Sequence, residues 1–91
     1  MATESVWIIT SGPARGGTRV AFRSAEAAQD ACEGFSAEFG FPVLEDWVDL
    51  SAAKDGSILV RYHECNVGGV KVPEEQRVER FPVLGSRAET A

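Results

Sequence analysis

The side chains best suited to chemistry are a histidine and a cysteine that lie two positions apart, His63 and Cys65. Residues 57–65 alternate like a β-strand, so both side chains should point to one face of a sheet, as a base and a thiol nucleophile would. The pair has no helix terminus or oxyanion site beside it, and an edge-strand histidine next to a buried cysteine is the more common arrangement. We therefore expect no catalytic residues in this chain.

Metal and phosphate sites are equally weak in the sequence. A zinc site built from Cys32, Cys65 and His63 would lack a fourth ligand, and no CxxC or CxxH spacing is present. Residues 12–17 (Gly-Pro-Ala-Arg-Gly-Gly) combine glycines with a base, but the following residues are typical of a strand rather than of the helix that phosphate loops require. We expect no metal and no cofactor.

Cysteine usage and hydropathy indicate the compartment. Two cysteines are too few for a disulfide framework, so we interpret both as free thiols in the cytoplasm, with a Cys32–Cys65 bridge in an exported form as the alternative. No apolar run approaches the roughly 20 residues that span a bilayer, and the N-terminal Met-Ala-Thr-Glu-Ser has no basic segment before an apolar one. We expect a cytoplasmic protein without membrane contact.

The elements that must position these residues start with a clear helix, Ala25–Phe39. Ser24 is a good N-cap, Gly40 a good C-cap, and Glu26 lies in the first turn, where the helix dipole favours an acid. The spacing predicts an apolar stripe of Ala28, Cys32, Phe35 and Phe39, and an opposite side with Glu26, Asp30 and Glu33. An amphipathic helix of this kind packs on a sheet.

Alternating residues and turn signals predict the strands. They cover residues 6–10, 18–23, 43–50, 57–65, 70–72 and 78–84, with one helical turn at 73–77 between the last two. The fold class is therefore α+β, an antiparallel sheet of about five strands with one amphipathic helix packed on one face. We expect one domain, residues 1–84, followed by a disordered polar tail, residues 85–91.

Charge is the most informative feature of the chain. Its 91 residues contain 14 Asp and Glu against nine Lys and Arg, a net charge of −5, which argues against direct binding of nucleic acid. Residues 1–25 sum to +2 and residues 51–91 to zero, whereas residues 26–50 carry −7 with no Lys or Arg. The seven acids are Glu26, Asp30, Glu33, Glu38, Glu45, Asp46 and Asp49. The acidity of the chain is therefore local.

This segment predicts a surface that binds a partner. In residues 43–50, one face should carry Leu44, Val48 and Leu50, and the other should carry Glu45, Trp47 and Asp49. We expect the partner-binding residues to be Glu26, Asp30 and Glu33 of the helix together with Glu45, Trp47 and Asp49 of the strand, with Trp47 as the desolvated anchor. The alternative is a solvated face neutralised by Arg19, Arg23 or Arg61, with Trp47 covering a second small core.

The leading hypothesis is a small, acidic, non-enzymatic binding protein, a monomer or homodimer, that inhibits or modulates a basic protein such as one that binds nucleic acid. In size and charge it is similar to phage anti-defence proteins, including anti-CRISPR proteins, and to immunity proteins. The alternative is a small dimeric α+β enzyme or ligand-binding protein with a cleft near Arg61, Tyr62 and His63. A structural subunit whose acids only maintain solubility is a third possibility.

Overall fold

A computed structural model describes residues 4–12 and 20–83. In chain order the elements are β1 (Ser5–Ser11), β2 (Ala21–Phe22), α1 (Ala25–Phe39), β3 (Val43–Asp49), β4 (Ile58–Val67) and β5 (Val70–Pro82). They form one antiparallel sheet in the order β2-β1-β5-β4-β3, with α1 packed mainly against β5, β1 and β2. The predicted α+β fold is confirmed. The predicted tail, residues 85–91, lies outside the described residues, as do the first two residues of the strand predicted at 18–23, of which the described part contains only the short β2.

Helix α1 begins and ends where its capping residues predict. The Ser24 hydroxyl accepts a hydrogen bond from the Ala27 N–H at 3.1 Å, which satisfies one of the free amides of the first turn. Gly40 ends the helix in the left-handed conformation, with φ of 69°, and its N–H donates to the Ala37 carbonyl. The helices of the described residues include none that is long and apolar enough to cross a membrane.

The core lies between α1 and the centre of the sheet. Its buried residues are Ile9, Ala28, Cys32 and Val78, with Trp7, Phe22, Ala31 and Trp47 packed around them. The predicted apolar stripe is correct at Ala28 and Cys32 but wrong at Phe39, whose side chain is 56% exposed. A polar residue, Ser36, continues the buried stripe instead.

One long strand replaces the two short strands and helical turn predicted for the end of the chain. β5 continues through Pro73, and β1 pairs with β5 only from Arg77 onward, so one side of Pro73 is a sheet edge among the described residues. The missing N–H of a proline is tolerated at an edge. The polar residues 73–77, for which a helical turn is predicted, alternate as a strand does. Glu74 and Gln76 face α1, whereas Glu75 and Arg77 face the other way.

The two faces of the sheet are covered unequally. Side chains of cross-strand partners point to the same face, so Arg61 and its partner Gln76 both lie under α1. Tyr62 and its partner Glu75 lie on the opposite face, which we call the open face because no other element of residues 4–12 and 20–83 packs on it. The sheet is therefore one half of a two-layer structure.

Strand β3 departs from simple alternation. Glu45 pairs with Tyr62 and Val48 pairs with Val60, so three residues of β3 span two of β4. This β-bulge brings both Glu45 and Val48 to the open face, while Trp47 points to α1. The prediction that Glu45 shares a face with Trp47 is wrong, because the extra residue reverses the alternation between them.

We expect Gly12→Ala to destabilise the protein by about 1–3 kcal/mol, measured by urea unfolding. A Cβ at position 12 would lie 2.9 Å from the Glu75 carbonyl oxygen, and the φ of 109° is one that residues with side chains rarely adopt. Gly34→Ala is the matched control: nothing lies within 4 Å of its Cβ position in α1, so it should stabilise by about 0.5–1 kcal/mol. Equal changes in the free energy of unfolding for Gly12→Ala and Gly34→Ala would contradict the close approach of the Glu75 carbonyl oxygen to position 12.

Candidate functional site

A buried polar network joins α1 to the sheet. Ser36 comes from α1, Arg61 and His63 come from β4, and Glu74 and Gln76 come from β5; together we call them the Ser36 network. All except Glu74 are buried, and His63 and Gln76 are fully buried. These side chains converge because positions 61 and 63 of β4 lie opposite positions 76 and 74 of β5, directly beneath the helix.

The Ser36 hydroxyl is the centre of this network. Arg61 donates from Nη2 to Ser36 Oγ at 2.7 Å, and Gln76 donates from Nε2 to the same oxygen at 3.3 Å. Arg61 Nε also donates to Gln76 Oε1 at 2.9 Å, and Gln76 Nε2 donates to the Cys32 carbonyl at 3.0 Å. No buried side-chain nitrogen or oxygen among the described residues lacks a partner, so the network is complete.

The same hydroxyl is linked to the histidine. Ser36 Oγ and His63 Nδ1 are 2.6 Å apart, and His63 Nε2 and Glu74 Oε1 are 2.7 Å apart. Oγ accepts from Arg61 and Gln76, and its single proton has two acceptors within reach, the Cys32 carbonyl at 3.2 Å and His63 Nδ1. In the tautomer that accepts at Nδ1, Nε2–H donates to the Glu74 carboxylate.

The order serine, histidine, carboxylate is also that of a hydrolytic triad, but this serine is not presented to a substrate. Ser36 is 3% exposed and lies on the covered side of α1, and its lone pairs are occupied by Arg61 and Gln76. Phe35 and Phe41 pack near the His63 ring, with centroid distances of 6.4 and 5.3 Å. In this arrangement the network holds the helix on the sheet, and attack by Oγ would require α1 to move away.

The structure separates the residues of the predicted cleft. Arg61 and His63 lie under α1, whereas Tyr62 lies on the open face, as expected from the alternation in β4. A shallow depression near the end of α1 is instead lined by Phe39, Cys65 and their neighbours. Arg61, Tyr62 and His63 therefore do not form one cleft within a single chain.

Both cysteines are free and buried. Burial raises the pKa of the Cys32 thiol to about 12, although nearby Arg61 acts in the opposite direction. Burial also raises the pKa of Cys65. No group of three or more His, Cys, Asp and Glu side chains within residues 4–12 and 20–83 is arranged to hold a metal ion.

Trp47 makes its contacts inside the molecule. Its indole N–H donates to Glu33 Oε2 at 2.8 Å, and the Arg61 guanidinium lies 5.7 Å from the centre of its ring. Arg61 Nη1 is also 4.0 Å from the same Glu33 oxygen. Glu33, Trp47 and Arg61 therefore extend the Ser36 network to β3, and the tryptophan packs against the core.

Asp49 organises the connection between β3 and β4. Its Oδ1 accepts hydrogen bonds from the Ser51 hydroxyl at 2.5 Å and the Ser51 N–H at 2.9 Å, and its Oδ2 accepts from the Gly56 N–H at 2.9 Å. The bonds from Ser51 hold the pKa of this carboxyl below its ordinary value. Both oxygens of Asp49 are thus engaged within the chain.

The remaining predicted residues divide between two surfaces. Glu26 and Asp30 are exposed on α1, and within residues 4–12 and 20–83 no Lys or Arg lies within 4 Å of their carboxylates. Glu45 is exposed on the open face, opposite Tyr62. Of the bases expected to neutralise this region, Arg61 reaches only Glu33, Arg23 forms no ion pair in these residues, and Arg19 lies outside them.

Sequence reasoning missed three members of the network. Ser36 lies four residues after Cys32 and so on the same side of the helix, but its polarity masked the pattern. Glu74 and Gln76 lie four and two residues before the buried Val78, and this two-residue period predicts a strand. The proline at the start of this polar run favours a helical turn instead, and the structure shows that the two-residue period is the correct signal.

The site and fold together define an α+β protein of one helix on five strands with a buried polar interface. Compared with protein-family models, curated proteins and solved structures, the chain matches none of them.

We expect Ser36→Ala to destabilise the protein by about 1–3 kcal/mol, because Arg61, His63 and Gln76 each lose a buried hydrogen-bond partner. Urea unfolding measures the change. Ala37→Ser, at the adjacent exposed position of the same helix, is the control and should change stability by less than about 0.5 kcal/mol. A Ser36→Ala variant as stable as the parent would contradict the central role of this hydroxyl.

Acid should weaken the β3–β4 connection. Hydrogen bonds from Ser57, aided by Arg80, hold the pKa of Asp55 at about 2, so its contribution is complete above the unfolded value and is lost as the pH falls toward 2. We expect Asp55→Asn to melt at a lower temperature than the parent at pH 7, and the gap to close between about pH 4 and pH 2. A gap independent of pH would show that the carboxylate charge is not responsible.

Proposed function

We propose that this chain is a small, acidic, non-enzymatic protein that binds a basic surface of another protein. The contact surface is the acidic flank of α1, defined here by Glu26 and Asp30. One observation carries the proposal: both carboxylates are exposed and, among the described residues, without a cationic neighbour, in a segment of charge −7. A surface that served only stability would intersperse lysines.

The energetics of the acidic flank favour an external cation. Glu26 and Asp30 are four residues apart on α1, a spacing at which like charges destabilise a helix by a few tenths of a kcal/mol. A basic partner would remove that repulsion on binding. Complementary charge would also steer the encounter and raise its rate, an effect that salt screens.

The partner we favour is a protein whose basic surface itself binds nucleic acid. Such surfaces concentrate Lys and Arg, and a bound acidic protein would occupy them and so inhibit or modulate the partner. We also propose a cytoplasmic location, since two free buried thiols are usual in a reducing compartment.

The test starts with a partner isolated on the immobilised protein from an extract of the source cells and then purified. We expect Glu26→Lys and Asp30→Lys each to raise its Kd about tenfold in low salt, and high salt to reduce the difference. Glu33 is left unchanged because its carboxylate binds Trp47. Thermal melting checks that each variant remains folded.

Glu38→Lys is the matched control. It makes the same charge change on the same helix, but position 38 lies about 80° around the helix from Asp30, away from the acidic flank. Its Kd should stay within about twofold of the parent's. The proposal fails if Glu38→Lys weakens binding as much as Asp30→Lys, or if neither flank variant nor salt changes the Kd.

A further inference from the structure

Strand β4 places polar side chains under the helix. Arg61 and His63 point to the covered side of the sheet together with Leu59 and Cys65, while Ile58, Val60 and Tyr62 point to the open face. Antiparallel sheets with one solvated face normally place their apolar side chains under the covering layer and their polar side chains in water. No other element of residues 4–12 and 20–83 packs on these three side chains; Val60 is nevertheless 2% exposed, whereas Ile58 and Tyr62 are half-buried.

Neighbouring strands extend this apolar surface. Leu50 lies beside Ile58, to which it is joined by a backbone hydrogen bond, and Val48 pairs with Val60. Leu50 is 50% exposed, Val48 is 41% exposed and Phe81, two residues beyond Glu79 on β5, is 39% exposed. Contiguous exposed apolar surface of this kind marks sites of protein interaction.

Charge determines what can cover the open face. Its strand residues include four carboxylates and two cations: Glu45, Glu64, Glu75 and Glu79 against Lys71 and Arg77. Arg77 is held within the chain by Glu75 at 3.1 Å and by Glu79 at 3.9 Å. Among the described residues, Glu45 and Glu64 have no cation within 4 Å.

The excess of carboxylates argues against a second copy of the chain as the partner that covers the open face. Two open faces packed together would enclose an excess of four carboxylates, and burying unpaired charge is costly. A different protein surface that brings Lys or Arg to Glu45 and Glu64 would remove that cost. It would also need apolar side chains to cover Ile58 and Tyr62.

We propose that the open face is a second docking surface, which binds a protein segment carrying both apolar and Lys or Arg side chains, with Tyr62 at its centre. Tyr62 lies between Glu45 and Glu75 on the neighbouring strands, so its ring is flanked by carboxylates. Tyrosine combines a large apolar contact with a polar tip and is common at the energetic centre of interfaces. This surface is separate from the acidic flank, and the proposal does not depend on the function proposed for that flank.

The test uses two synthetic peptides of equal length, one alternating Lys and Leu and the other alternating Lys and Ser. Each is titrated into the full-length ¹⁵N-labelled protein and followed by NMR. We expect the Lys-Leu peptide to shift amide signals of β3, β4 and β5 and to bind at least about tenfold more tightly than the Lys-Ser peptide. Equal affinity for the two peptides would overturn the proposal.

Variants assign the binding to the open face. Tyr62→Ser should weaken the Lys-Leu peptide about tenfold, and Leu50→Ser, at an exposed position that tolerates a polar residue, should weaken it by a smaller factor. Phe39→Ser is the matched control, because Phe39 is an exposed aromatic residue on the helix. The proposal fails if Phe39→Ser weakens binding as much as Tyr62→Ser.

Two further outcomes distinguish this surface from others. Asp30→Lys should leave the affinity for the Lys-Leu peptide within about twofold of the parent's. If Asp30→Lys abolishes binding of this peptide and Leu50→Ser has no effect, the peptide binds the acidic flank alone, and the proposal is overturned. Sedimentation of the free protein should show a monomer. A dimer that Leu50→Ser dissociates would show that a second copy covers the open face, and would overturn the proposal.

Discussion

The hydroxyl of Ser36 is the contact on which the arrangement of helix and sheet depends. It is the point where a residue of α1 meets Arg61 and His63 of β4 and Gln76 of β5. Apolar contacts alone, made by Ala28 and Cys32, would allow the helix to slide along the sheet, because they have no preferred direction. Directional bonds to one oxygen select a single position, since any shift leaves several buried donors without an acceptor.

This polar interface also explains where the apolar residues of the sheet lie. Because successive side chains of a strand point to opposite faces, a strand that directs Arg61 and His63 toward the helix directs Ile58 and Tyr62 to the opposite face. Trp47 and Glu33 then complete the covered side by closing over Arg61. The polar contacts under α1 therefore fix the face on which Ile58 and Tyr62 lie.

The sequence predicted local features well and cross-strand features less well. Ser24 and Gly40 fix the bounds of α1 because capping depends on neighbouring residues alone. The continuity of β5 through Pro73 depends on where β1 stops pairing, and the face of Glu45 depends on a bulge against β4. The face of Glu45 is set by the register of another strand, whereas the two-residue period of Glu74, Gln76 and Val78 is a local sign that β5 continues. Which side chains meet in the polar network is not a local feature, because Ser36 and Gln76 are 40 residues apart.

The two proposed surfaces differ in the range over which they act. The described molecule is 16 Å across its thinnest dimension, about two Debye lengths at physiological ionic strength. Carboxylates of the acidic flank are therefore largely screened from a partner on the open face, where Glu45 and Glu64 must attract cations themselves. For a partner on the flank, charge would act at a distance and set the rate of encounter, whereas for a partner on the open face desolvation of Tyr62 and Leu50 would set the lifetime of the complex. Salt would consequently act mainly on association at the flank, and apolar substitutions mainly on dissociation from the open face.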